Sequence, residues 1–131
     1  MPMIPNVKAE WVRRLLDPEA EQGHDLLRNE VGGQCCLDFL NQMCSDAGYQ
    51  PQPVQLEDLH WGYEDPDADP AYLEDELQVS VLTQACIEYA GLEDTDPEVP
   101  YLDGKYRLSY LNDVMRLALP QIAELIRDSD L

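Results

Sequence analysis

Three sets of residues in this chain have side chains and spacing that could do chemistry. The first is Asp65-Pro66-Asp67-Ala68-Asp69 with Glu76. It places carboxylates at positions one, three, five and twelve of a calcium-loop pattern. That pattern needs glycine at its sixth position for a sharp turn, and Pro70 stands there, with Pro66 stiffening position two. The expectation is a bare acidic loop and no metal centre. The second set is the histidines, His24 and His60. They fall in separate segments, and Asp58 and Trp61 beside His60 could orient its ring, which reads as a structural histidine. The third is the four cysteines. Cys35 and Cys36 are adjacent, there is no Cys-x-x-Cys pair, and no histidine lies at ligand spacing, so zinc is not expected. Cys36 and Cys44 are expected to pack as small apolar side chains, and all four thiols to be free.

No nucleophile has a base at a fixed spacing and no glycine-rich phosphate loop occurs. We therefore expect no catalytic residues, no cofactor and no enzyme activity. What the chain has in abundance is negative charge: 27 carboxylates against 8 lysines and arginines, for a net charge of −19. The distribution is uneven. From Asn29 to Gly104 there are 18 carboxylates and no lysine or arginine, whereas the flanks hold all 8 bases and 9 acids. A uniformly solvated or salt-adapted surface would spread its acids over the whole chain. A concentrated field repels itself and attracts a basic partner. The expected contact residues are Glu64, Asp65, Asp67, Asp69, Glu74, Asp75 and Glu76, helped by Glu93, Asp94, Asp96 and Glu98. Direct nucleic-acid binding is disfavoured, because phosphates require a basic face.

The elements that must position these residues are legible in part. At 131 residues the chain has the length of one domain, so residues 1–131 are expected to form a single acidic unit. The Met1-Pro2-Met3-Ile4-Pro5 start is neither basic nor long and apolar, and no apolar run approaches a membrane span, so the expected location is the cytoplasm. Asn6 is the expected N-cap of a helix carrying Val7, Trp11, Leu15 and Leu16 and ended by Asp17-Pro18. Leu26 and Leu27 begin a short extended piece that turns at Gly32-Gly33. A buried helix face follows from Cys36 to Cys44.

The stretch from Tyr49 to Pro70, a Pro/Asp-rich loop at about 49–71, shows no sustained period. Tyr72 to Glu76 fits a helical turn, and Ser80 to Ala90 a helix with Gly91 as its left-handed terminus. Asp103-Gly104 between Tyr101 and Tyr106 is a hairpin signal. Leu108 to Ile126 reads as helix divided at Pro120. The expected fold is α+β, helix-dominated, with one or two short β-hairpins.

Two pieces carry a resemblance. Cys35-Cys36-Leu37-Asp38-Phe39-Leu40 resembles the Cys-Cys-Leu-Gly-hydrophobic-Leu element of small accessory proteins of tailed bacteriophages, with Asp38 in place of glycine. Leu108-Ser109-Tyr110-Leu111-Asn112-Asp113 with Ile122-Ala123-Glu124-Leu125-Ile126 resembles their closing Leu-Asn-Asp and Ile-Ala-Asp-x-Ile element, and Ala90-Gly91-Leu92 fits the same arrangement. The resemblance implies a viral accessory protein in a bacterial cytoplasm. Joined to the acidic middle, it gives the expectation of an inhibitor that offers carboxylates in place of DNA phosphates to a basic, nucleic-acid-binding host protein, such as a bacterial immune nuclease complex (an anti-CRISPR-like role). The competing expectation is a small-molecule or metal-ion binding protein using the loop 64–76.

Overall fold

The structure is a computed structural model that describes residues 3–131; the Met1-Pro2 start lies outside them. It is a small α+β fold with five α-helices and two small antiparallel sheets. The helices are α1 (Pro5–Leu15), α2 (Cys36–Asp46), α3 (Gln84–Ala90), α4 (Leu108–Asp113) and α5 (Leu119–Arg127). One sheet has the order β1 (Val54–Gln55), β2 (Trp61–Glu64), β3 (Leu77–Gln78), and the other pairs β4 (Glu98–Tyr101) with β5 (Gly104–Arg107).

The amphipathic pattern of α1 buries Val7, Trp11 and Leu15. Trp11 is wholly buried and donates its indole N–H to the Cys36 carbonyl at 2.9 Å, so the one polar atom of a large side chain is satisfied in the core. The cap is Ile4 rather than Asn6: with Pro5 at the first helical position, the missing amide costs nothing, and Asn6 lies inside the helix. Helix α2 is buried along most of its length, Leu37, Leu40 and Cys44 at 0% exposure. Burial on so many sides forces its polar residues into networks. Asn41 accepts from the Thr83 amide and donates to the Val81 carbonyl. Gln50 in turn joins Thr83, Ser45 and the Asn41 carbonyl. Thr83 also caps α3 by accepting from the Cys86 amide, and for that reason α3 starts at Gln84 and not at Ser80. Gly91 ends it at φ +77, as expected.

On α4, Asn112 is fully buried and acts as a knot. Its amide donates to the Gly23 carbonyl and its oxygen accepts from the Cys36 amide and the Gln22 side chain. The Leu108 to Ile126 stretch is divided as expected, with Pro120 in the first turn of α5. All four cysteines are free and buried, in agreement with the expected packing role.

Three further expectations are corrected. The stretch from Tyr49 to Pro70 is not one loop: β1 pairs with β2 around a turn at Leu59 (φ +75), with Val54 opposite Gly62, and Leu56 is buried though Leu59 is exposed. Strands of two to four residues are too short to leave a readable alternation. The Tyr72 to Glu76 helical turn is displaced. A 3₁₀ turn occupies Pro70–Tyr72 with Asp69 accepting from the Ala71 amide, and residues 74–77 form a tight turn in which Asp75 and Glu76 both have positive φ, +49 and +68. In the last hairpin Tyr101 pairs with Gly104, so the two turn residues are Leu102 and Asp103, one position ahead of the Asp-Gly signal. The extended piece at Leu26 and Leu27 is no strand of either sheet: Leu27 donates its amide to the Val79 carbonyl and accepts from the Cys35 amide, and Arg28 forms isolated bridges with both Gln34 and Trp61.

Candidate partner-binding surface

The expected contact residues separate into two groups. The first surrounds β2, the 3₁₀ turn and β3. Glu64, at the exposed end of β2, Asp67 and Asp69 on the following loop, and Asp75 and Glu76 on the strained turn all reach solvent, and none of the five forms an ion pair with another described residue. The second group lies between α3 and β5: Glu93, Asp94 and Glu98 are exposed and share a concavity with Lys105 and Asp130.

Two of the expected contact residues are withdrawn from the surface. Asp96, 8% exposed, accepts from both the amide and the hydroxyl of Ser109, which fastens the start of α4. Asp65, 3% exposed, accepts from the Gln84 amide at 3.2 Å and so holds the start of α3. Each binds backbone of its own chain. Glu74 is half-buried and engaged elsewhere: His60 stands between it and Asp58, with Nε2 3.1 Å from Glu74 and Nδ1 2.7 Å from Asp58. The position of Asp58 was legible beside His60. Glu74 arrives only through the pairing of β2 with β3, which no local spacing announces.

Among the described residues, Asp58, His60 and Glu74 are the one set of three ligand-type side chains whose donor atoms lie within 4.8 Å of one another. The carboxylates face opposite nitrogens of the ring. An ion could take only one of those nitrogens, so the cluster acts as a tie between the β1–β2 turn and the β3 turn. Asp65, Asp67, Asp69 and Glu76 do not converge, because Asp65 is drawn toward α3 and Asp69 caps the 3₁₀ turn. Calcium-loop spacing has not become a coordination sphere.

The bases of the flanks are also less self-contained than their balance suggests. Arg28 reaches Asp38 at 2.8 Å, Arg14 reaches Asp46 at 3.4 Å and Arg107 reaches Asp94 at 3.6 Å. Asp38 is fully buried. It accepts from Arg28 and Gln34 on one oxygen and from Tyr63 on the other at 2.6 Å, and Arg28 also lies 5.5 Å over the Trp61 ring. Burial nevertheless holds Asp38 above the ordinary carboxylate range, against the pull of Arg28 and Tyr63.

Asp65 is held above that range as well. Burial is the main cause and the charge of Asp67 adds to it, against the Gln84 amide and the Gln78 side chain. Its Oδ2 is the one buried side-chain oxygen or nitrogen among the described residues that has no hydrogen-bond partner. Asp65 lines a concavity of about 560 Å³ together with Glu64, Asp75 and Glu76, walled by apolar groups that include Val54, Leu73 and Leu77.

Among the described residues no helix is long and apolar enough to cross a membrane. No curated protein and no solved structure matches the chain. Residues 3–130 match the family model described as a domain of unknown function, DUF8296, and the chain belongs to that family.

Proposed function

We propose that this DUF8296 protein binds a basic, nucleic-acid-binding protein of a bacterial host by presenting carboxylates where that protein expects phosphates, in the manner of a phage-encoded inhibitor of an immune nuclease complex. The observation that carries the reading is the group Glu64, Asp67, Asp69, Asp75 and Glu76. These five carboxylates are exposed on one small sheet and its loops, and the bases that enter the central segment go to Asp38, Asp46 and Asp94 instead. Their field is available to an outside partner. The resemblance of the Cys35–Leu40 and Leu108–Ile126 elements to phage accessory proteins supports the host setting. Complementary charge mainly raises the association rate and is screened over about 8 Å at physiological salt.

The test begins with capture from a bacterial lysate and identification of the bound protein. Association is then measured against salt for two amide-substituted variants. Changing Glu64, Asp67, Asp69, Asp75 and Glu76 to amides should slow association by about tenfold and flatten its salt dependence. The same change at Glu19, Glu21, Asp128 and Asp130 should do little, and the captured protein should lose DNA binding when this chain is added. If the second set weakens binding more than the first, or if DNA and this chain bind the partner together, the reading fails.

A further inference from the structure

A neutral imidazole has one N–H and one bare nitrogen, and only the doubly protonated ring donates on both sides. His60 is buried and has a carboxylate oxygen at each nitrogen, Asp58 Oδ1 2.7 Å from Nδ1 and Glu74 Oε2 3.1 Å from Nε2. Both contacts are favourable for the imidazolium alone, since a neutral ring turns a lone pair toward one of the two anions. The shorter contact, to Asp58, is the one a neutral ring keeps. Glu74 is therefore the contact that depends on the second proton. Among the described residues these two carboxylates are the charged groups that pair with the ring; Arg28, which bridges to the neighbouring Trp61, gives its guanidinium to Asp38.

Glu74 also closes the strained turn. It exchanges both backbone hydrogen bonds with Leu77, at 2.9 and 2.8 Å, and between them Asp75 and Glu76 stand at φ +49 and +68. Left-handed angles at two successive non-glycine residues persist only where the surroundings enforce them. We propose that His60 is a proton-operated clasp: doubly protonated, it grips Glu74 and fixes the turn that displays Asp75 and Glu76, and on losing the Nε2 proton it releases Glu74 and the turn loosens. Mild acid orders this edge of the acidic sheet and mild alkali frees it. The device belongs to the chain alone and does not depend on which partner the sheet meets.

The test is an NMR titration of the whole protein from about pH 5 to about pH 9, the range in which histidine exchanges its proton. Ring nitrogen shifts report the proton count of His60, and backbone amide shifts report the turn. His60 should pass from two ring protons to one, and the amides of Glu74, Asp75, Glu76 and Leu77 should move in the same step. Protection of the Glu74 and Leu77 amides from hydrogen exchange, corrected for the intrinsic effect of pH, should fall about tenfold across it, the worth of one charge-assisted hydrogen bond. His24 is the internal control, and its titration should leave these amides in place. His60→Gln should abolish the step and leave the turn loose throughout. Glu74→Gln needs no second ring proton, because its side-chain amide donates to a bare nitrogen, so the turn should stay ordered as His60 titrates. A His60 ring whose proton count does not change over the range, or turn amides that do not follow it, overturn the clasp. A step that survives in His60→Gln, or undiminished in Glu74→Gln, does the same.

Discussion

Arg28 is the last base before the long acidic segment, and it is spent inside the molecule. Its guanidinium meets Asp38, Gln42 and Tyr63, so the fully buried Asp38 has one charged partner and two neutral ones. Such a pair is a weak source of net stability, yet removing one member strands the other. Arg28→Ala should therefore destabilise the fold by about 3 kcal/mol or more, whereas Arg28→Met with Asp38→Leu should cost clearly less. Urea denaturation of both variants checks this, and equal losses would show that the charge of Asp38 is not the issue. At this scale the sequence was a good guide to residue types and a poor one to their use. Asp38 stood among the acids of the central segment and Arg28 among the bases of a balanced flank, and the backbone pairing of Leu27 with Cys35 and of Arg28 with Gln34 and Trp61 brings them together. Asp65 and Asp96 were read as surface for the same reason: an aspartate that holds a backbone amide across a fold has the same one-letter code as one that faces water.

Among the elements, helices were legible and the small sheet was not. A helix of eleven residues such as α2 repeats its apolar spacing three times, while β1 and β3 have two residues each and leave no period. The turn between Glu74 and Leu77 is the clearest case. Asp75 and Glu76 both adopt left-handed angles, which favour Asn-Gly, so the residues present hid the turn that they make. That conflict has a measurable side. Replacing Asp75-Glu76 with Asn-Gly should raise stability by about 1 kcal/mol or more, because strain at two non-glycine residues is relieved. The same change removes two of the five exposed carboxylates, and partner association should slow even as the melting temperature rises. A melting temperature that falls would mean the turn is held in place by contacts of Asp75 or Glu76 and not merely tolerated.

For the molecule as a whole, acid is expected to help before it harms. Asp38 and Asp65 are held above the ordinary carboxylate value, so folding is opposed by their charge at neutral pH. That opposition is relieved as pH falls through their folded values toward 3.8. The self-repulsion of a net charge of −19 falls over the same range. Glu10 works in the opposite sense. Hydrogen bonds from Arg13 and then Arg14 lower it from 4.5 to about 2, so its contribution is full above 4.5 and is lost as pH falls toward 2. Asp46 behaves likewise, since hydrogen bonds from Gln42, Gln52 and Arg14 outweigh the effect of its burial. The urea midpoint should rise as pH falls from neutrality toward the carboxylate range and decline below 4.5, where the contribution of Glu10 is lost. A midpoint that falls steadily from neutrality would show that carboxylates such as Glu10 and Asp46 dominate over the buried Asp38 and Asp65.

The two tryptophans make these events separable by light. Trp11 is sealed in the core against Cys36, and Trp61 lies half-buried under Arg28 on the strand that ends at Glu64. One indole is silent until the whole chain opens, and the other sits within the acidic sheet. With Trp11 replaced by phenylalanine, the remaining emission becomes a local gauge of what happens around β2. A partner docking on that sheet would be seen as a colour shift from Trp61 in an unlabelled protein, at concentrations far below those that magnetic resonance needs.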